Sequence, residues 1–165
     1  MRPVSQNYVP TVTDQDLIEQ FTLARQINDR VTVANDAVLS IRGLKEQISA
    51  RIGASGDARL RAFGEAVSEK LTDVEGEIYQ YRNRSNQDPL NYPIRLNNKL
   101  AALQSIVESG DSKPTDQAYA VFKDLSARLD RQLARFDAIV KTDLPDLNRI
   151  LGDRNLSISV PRVPR

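Results

Sequence analysis

The hydrophobic positions in the first third of the chain recur with the alternating three- and four-residue spacing of an amphipathic helix. One series is Leu17, Ala24, Val31 and Val38, and the interleaved series is Ile27, Ala34, Ile41 and Ile48. This spacing places both series on one stripe, so it predicts a long helix from about residue 14 to 52. Thr13, followed by Asp14 and Asp16, supplies a capping hydroxyl and two first-turn carboxylates, which favour a helix start there.

Three more long helices and one short helix are predicted downstream. The Gly-rich break at 53–56 ends the first helix, and Asp57 can cap a second that runs to about residue 83. A third is expected from about 93 to 109, and Thr115 can cap a fourth that ends near Lys141. A short fifth helix is expected from Leu144 to Leu151. The stripes of helices two to four are Leu60, Phe63, Val67, Leu71, Val74, Ile78 and Tyr81; Leu96, Leu100, Leu103 and Val107; and Ala118, Phe122, Leu125, Leu129, Leu133, Phe136 and Ile139.

Two glycines interrupt the second predicted helix. Gly64 and Gly76 should each cost about 1 kcal/mol relative to alanine inside a helix. Either they allow a neighbouring helix to approach closely or they are simply tolerated.

These elements predict an all-α fold, a four-helix up-down bundle with a long first helix and a short C-terminal fifth helix. The bundle domain spans 13–151, preceded by an extended lead-in at 1–12 and followed by an extended or frayed tail at 152–165. At about 1.5 Å per residue the first helix is nearly 60 Å long, against roughly 25 to 40 Å for the others. Part of it is therefore expected to overhang, to pack on the fifth helix, or to meet a partner.

Composition fits one folded domain and argues against several partner classes. The chain has 165 residues, of which 40% are apolar and 27% are charged, with a net charge of +1. No long run of one charge sign is present, so nucleic-acid binding is not expected. No apolar run approaches the roughly 18 residues needed to span a membrane. The polar start of the sequence has no apolar segment of the kind found in signal peptides, so none is expected.

The chain lacks the residue types that most catalytic and metal sites require. Cys is absent, which excludes a thiol nucleophile, and His is absent, which removes the commonest general base and metal ligand. No Gly-rich phosphate loop or calcium loop is present. We therefore predict no catalytic, cofactor-binding or metal-binding residue. The remaining carboxylates fall mostly between the stripe positions, so we expect Asp73, Glu75, Glu77, Asp143 and Asp146 to be solvated.

Aromatic and basic residues gather near the break between the second and third helices. Tyr79, Tyr81, Arg82, Arg84 and Tyr92 are candidates for a ligand-binding or docking patch. The favoured alternative is that the tyrosines close one end of the bundle with their hydroxyl groups in water.

Two stretches of the sequence resemble a known protein region. They are Ser85–Leu103, which reads SNQDPLNYPIRLNNKLAAL, and Lys113–Phe122 with the Leu-rich helix that follows it. Together they resemble the C-terminal helical region of bacterial sortilin-like, Asp-box (BNR) repeat proteins, which are sialidase-like and often labelled glycosyl hydrolases. The resemblance covers most of the chain and is most specific from about residue 85 to 150. In that family β-propeller repeats precede this region, but the chain contains no Asp-box motif and no Trp. No catalytic residue therefore carries over.

The resemblance implies a non-catalytic helical accessory domain, acting as a structural cap, spacer or assembly surface. Its partner would be the β-propeller of a parent chain or another protein, and an exported parent would place it in the periplasm or outside the cell. The alternative is a free-standing helical adaptor that binds a partner helix, or itself, through the first helix. Phe21 lies beside the stripe of that helix. We expect it to widen the buried face; otherwise it offers a contact to another chain.

Overall fold

The computed structural model describes residues 12–81, 92–152 and 157–161, and all regular structure in these ranges is helical. The elements are α1 (Asp14–Ala54), α2 (Ala58–Ile78), α3 (Leu96–Val107), α4 (Asp116–Ala138) and α5 (Leu144–Leu151), with a π-helical turn at Ile139–Asp143. The predicted all-α fold with a long first helix and a short last helix is confirmed. Most of the predicted lead-in, and part of the tail, lie outside the described residues.

The predicted caps are formed as expected. Thr13 Oγ1 accepts a hydrogen bond from the Asp16 backbone N–H at 3.2 Å, and the Asp16 carboxylate accepts from the Thr13 N–H at 3.0 Å. This reciprocal pair is a capping box. Asp57 accepts from two first-turn amides of α2, and Thr115 accepts from the Ala118 N–H. Each cap satisfies backbone donors that the helix itself leaves unpaired.

α2 runs antiparallel to the C-terminal half of α1. A Cβ atom at Gly64 would lie 2.6 Å from Cγ2 of Ile52, so the backbone of α2 approaches α1 closely at this level. Two turns before Ile52, Lys45 of α1 pairs with Glu75 near the other end of α2. Gly64 is therefore required by close packing rather than merely tolerated.

α3 runs antiparallel to the N-terminal half of α1. Asn97, at the start of α3, lies 3.5 Å from Asn35 of α1, measured between their side-chain amide atoms. At the other end of α3 the Gln20 side chain donates to the Val107 carbonyl at 2.6 Å. α2 and α3 therefore follow one another along α1 in the same direction, and together they accompany most of its length. The expected overhang of the first helix is thus largely covered by its own chain.

α4 returns alongside α1 in the parallel direction, and α5 continues from it beside α2. Arg30 of α1 donates to the Ser126 carbonyl at 3.1 Å and pairs with Asp130 in α4. Further along, Lys70 of α2 pairs with Asp143 at 2.7 Å, just before α5. α4 also packs on α3, while α5 packs on α2. The helices thus form an up-down bundle. In it α2 and α3 follow one another antiparallel to α1.

α2 ends earlier, and α3 begins later, than the sequence predicts. α2 ends at Ile78 because Tyr79 adopts an extended backbone, and α3 begins only at Leu96. The side chain of Gln80, which is buried, donates to the Pro93 carbonyl at 3.0 Å and ties the two sides of the break together. The predicted boundaries near 83 and 93 are therefore wrong by several residues.

The expected gap between the fourth and fifth helices is absent. The helical backbone continues from α4 through the π-helical turn into α5, and the Leu144 N–H donates to the Ile139 carbonyl. Pro145 has no N–H to offer the Lys141 carbonyl, and its ring would collide with a normally placed carbonyl at that position. A wider turn accommodates the proline without ending the helix.

The core follows most of the predicted stripe positions, but it excludes the start of the first helix and Tyr81, which is exposed beyond the end of α2. Leu17 is exposed, and Phe21 is 67% exposed, so the expectation that Phe21 widens the buried face is wrong. Phe21 lies on the flank of α1, whereas Leu23 turns into the core. The fully buried large side chains include Leu23, Ile27, Ile41, Leu44, Ile48, Leu71, Ile78, Leu100, Leu129 and Leu147.

The end of the chain returns to the bundle. Residues Ser157–Pro161, which we call the tail segment, are not helical, and Ile158 is only 3% exposed. This segment lies between α5 and the C-terminal half of α1, where Asn148 and Gln47 hold its backbone.

Candidate interaction surface

The structure describes three of the five residues of the predicted aromatic patch. The Tyr79 ring is half-buried against the core, with the Arg42 guanidinium carbon 4.9 Å from its centroid. Tyr81 and Tyr92 instead line a small polar pocket at the α2–α3 break. Arg82 and Arg84 lie outside the described residues. The patch remains a prediction, and of the described tyrosines Tyr79 lies beside Arg42 of α1.

The pocket at the α2–α3 break is polar and small, about 230 Å³ in volume. Its walls include Glu77 and Arg95, which form an ion pair at 3.4 Å. Gly76 supports one wall, where an added Cβ would come within 3.3 Å of the Tyr81 ring. The arrangement joins the two helices through polar contacts.

A buried carboxylate lies next to this break. Glu75 is 3% exposed, which contradicts the expectation that the carboxylates of α2 are solvated. Oε1 of Glu75 is 2.7 Å from Nε of Arg42, and Oε2 is 3.1 Å from Nζ of Lys45. The pairing of both oxygens offsets the cost of removing the charge from water. A sequence signal exists, because Glu75 is four residues after Leu71 and next to Val74, at the edge of the apolar stripe.

The other four carboxylates that we expected to be solvated are all more exposed than Glu75. Asp73 and Asp146 are exposed, in agreement with it. Glu77 and Asp143 are partly buried and paired with cations. Within 12–81, 92–152 and 157–161, no three or more acidic residues come close enough to hold a metal ion.

An apolar groove lies between α3 and α4, and we call it the α3–α4 groove. It encloses about 380 Å³. Three of its residues are large apolar side chains left exposed, namely Ile94, Ile106 and Val121, and Ile106 is 67% exposed. Lys99 is its one charged lining residue among those described. The lining consists of Ile94, Lys99, Ala102, Leu103, Ile106, Thr115, Gln117, Ala118, Val121 and Leu125.

The α3–α4 groove opens on the side away from α1. Helix α1 contacts both of its walls from the opposite side. No residue of α1 lines the groove, although Gln20 binds carbonyls of Val107 and Gly110 at the end of α3. Arg30 holds α4 through Ser126 and Asp130. The two walls are thus attached separately to α1, so their spacing is set by the bundle. Sequence reasoning missed the groove because only Leu103, Ala118 and Leu125 of its lining belong to the predicted stripes, and the other lining residues lie between stripe positions.

Two sets of charged contacts lie at the start of α1, and one of them joins it to the α3–α4 connection. Lys113 lies 3.3 Å from Glu19, and this hydrogen bond raises the pKa of the Lys113 ammonium group above its usual value. Hydrogen bonds from the Thr13 side chain and backbone hold the pKa of the Asp16 carboxyl below its usual value. All these groups are at the surface. The Lys113–Glu19 contact joins the α3–α4 connection to α1, and the Thr13–Asp16 contacts cap its first turn.

Comparison of the chain with protein-family models, with curated proteins and with solved structures finds no match. The relation to Asp-box proteins therefore stays a prediction from the resemblance of the sequence. Among the helices of the described residues, none has the length and hydropathy required to cross a membrane.

Proposed function

We propose that this chain is a non-catalytic helical accessory domain that serves as an assembly surface, with the α3–α4 groove as that surface. The observation that carries the proposal is the groove itself. It gathers three exposed apolar side chains: Ile94 just before α3, Ile106 on α3 and Val121 on α4. Exposed apolar residues gathered in one concave site are typical of binding surfaces, whereas isolated ones are ordinary.

The proposed partner is the β-propeller of an Asp-box parent protein, as the sequence resemblance implies. Within one parent chain the linker would supply the propeller at a high effective concentration, so a groove of this size would suffice. Interfaces between domains of one chain are commonly modest in area. An apolar ridge on the propeller would fit the lining, in which Lys99 is the one charged residue described.

Calorimetric titration against the propeller encoded with the chain tests this proposal. The wild-type chain is expected to bind, and Ile106→Glu is expected to weaken binding by at least tenfold because it places a charge in the apolar contact. Val33→Glu is the matched control, since Val33 is exposed on α1 and lies outside the groove. An upstream reading frame without Asp-box repeats, or equal binding by both variants, would overturn the assignment. Robust hydrolysis of model glycosides by the isolated chain would equally contradict a non-catalytic role.

The second candidate is a free-standing adaptor that uses the start of α1. Leu17, Ile18 and Phe21 are exposed there, although most of the heptad stripe that follows is buried within the chain. Sedimentation equilibrium of the wild type and of Phe21→Ser tests it. Association that Phe21→Ser abolishes and Ile106→Glu leaves unchanged would favour the adaptor; a monomer at all concentrations would remove self-association.

A further inference from the structure

The backbone of the tail segment is bound by two side-chain amides rather than by secondary structure. Asn148 of α5 accepts a hydrogen bond from the Ile158 N–H at 2.7 Å and donates one to the Ile158 carbonyl at 2.9 Å. Its amide thus pairs with both polar groups of a single residue. Two opposite residues of an antiparallel sheet exchange a pair of hydrogen bonds in the same way.

The next residue is bound in the same way from the other side. Gln47 of α1 accepts from the Ser159 N–H at 3.2 Å and donates to the Ser159 carbonyl at 2.9 Å. Successive residues of an extended chain direct their polar groups to opposite edges. Ile158 and Ser159 are therefore held as an extended strand between α5 and α1, with both of their backbone donors and acceptors satisfied.

Two side-chain contacts add selectivity to this backbone recognition. Ile158 is inserted into the core and is 3% exposed. Pro161 lies against the bare backbone of Gly43, where an added Cβ would be 2.5 Å from Cγ of Pro161. Glycine weakens the middle of a helix, so its presence in α1 is accounted for by the space that Pro161 occupies. We call the site formed by Gly43, Gln47 and Asn148 the tail cleft.

We propose that the tail cleft is a binding site for an extended peptide, and that a second copy of this chain can supply that peptide in place of the cleft's own tail segment. Backbone pairing, an apolar anchor and a proline contact are the elements by which proteins recognise extended peptides. All of them lie within five consecutive residues, Ser157–Pro161. The sequence known to fit the cleft is the chain's own, so a second copy is the partner that the contacts specify.

Exchange between two copies follows from this arrangement. Each copy carries one cleft and one tail segment, so reciprocal exchange produces a closed dimer with two identical contacts. The tethered segment competes with the incoming one at an effective concentration on the order of millimolar. A copy whose own segment cannot bind should therefore capture the segment of another copy much more readily. The tail cleft lies on a different part of the bundle from the α3–α4 groove, and the exchange does not depend on that groove.

Mixing two complementary full-length variants tests the proposal. Ile158→Asp leaves the tail cleft intact but prevents the variant's own tail segment from binding there. A carboxylate cannot occupy the buried position of Ile158. Gly43→Leu fills the space of Pro161 and blocks the cleft, while its tail segment stays intact. Should Ile158→Asp lose helical circular dichroism, Ser159→Pro replaces it, since it removes the backbone N–H that donates to Gln47 and leaves Ile158 in place.

In sedimentation velocity each variant alone is expected to be monomeric and the equimolar mixture to contain a dimer. Wild-type chain should require a concentration at least about tenfold higher to dimerise, because its own tethered segment competes. A capped peptide of residues 157–161 should dissociate the dimer, and the same peptide with Ile158→Asp should not. Folded variants that stay separate when mixed, or a dimer that also forms between Ile158→Asp and the Gly43→Leu/Ile158→Asp double variant, would overturn the proposal.

Discussion

Nε of Arg42 in α1 lies 2.7 Å from Oε1 of Glu75 in α2, and it connects the middle of the longest helix to the end of the helix that packs against it. The same guanidinium group covers the Tyr79 ring at the first residue of the α2–α3 break. Lys45 binds the other carboxylate oxygen. These contacts fix the register of α2 on α1 at the C-terminal end of α2.

Replacement of Glu75 by alanine is expected to destabilise the fold. Arg42 and Lys45 would lose their shared partner, but both are partly exposed and water can solvate them, so we expect a loss of about 1–3 kcal/mol in the free energy of unfolding. Urea denaturation measures it. Asp73→Ala, an exposed site on the same helix, is the matched control and should change stability by no more than about 0.5 kcal/mol. Equal effects of the two substitutions would show that the buried pairing contributes nothing.

Gly64→Ala is expected to be destabilising even though alanine favours helix formation. Its Cβ would lie 2.6 Å from Cγ2 of Ile52, a branched side chain of α1 with little freedom to move. Overpacking of this kind costs about 1–3 kcal/mol. Gly53→Ala, in the last turn of α1 with open space around it, should instead be neutral or stabilising by up to about 1 kcal/mol. A thermal melt in which Gly64→Ala matches or exceeds the wild type would contradict the close helix approach.

Protonation of Asp16 should loosen the first turn of α1. Its folded-state pKa lies below the ordinary value of 3.8, chiefly because Thr13 donates to the carboxylate. The resulting stabilisation is therefore present above that ordinary value and is lost as the pH falls through the lowered folded-state pKa. Amide hydrogen exchange at Leu17, corrected for the intrinsic effect of pH, should lose protection in that range. In Asp16→Asn the protection should be lower at neutral pH and should lack this acid step; an unchanged acid step would contradict the assignment.

The local features of the fold could be predicted from the sequence, because a cap or a stripe depends on residues a few positions apart. Thr13, Asp57 and Thr115 cap their helices as predicted. The course of α3 along the same helix as α2 could not be predicted, since it depends on long-range contacts such as Asn97 with Asn35. The helical continuation past Pro145 also departs from the local signal, because a π-helical turn removes the clash on which that signal rests.

The candidate sites were less accessible to sequence reasoning than the helices. The α3–α4 groove depends on the distance between α3 and α4. The spacing of hydrophobic residues along the sequence does not report this distance. The tail cleft depends on Gln47 and Asn148, two amides more than a hundred residues apart whose partners are backbone atoms. One signal was available, the alternation of polar and apolar residues from Ser157 to Val160, which is typical of an extended segment with one buried face.

Methyl NMR of the chain titrated with the Asp-box propeller encoded with it tests the central claim most directly, because it reports which surface is covered. We predict that the methyl resonances of Ile94, Ile106 and Val121 shift on binding, while those of Ile18 and Val33 do not. All five side chains are exposed in the free chain, so each can report contact. Shifts confined to Ile18, or a propeller that leaves the Ile106 and Val121 resonances unchanged, would contradict an assembly role for the α3–α4 groove.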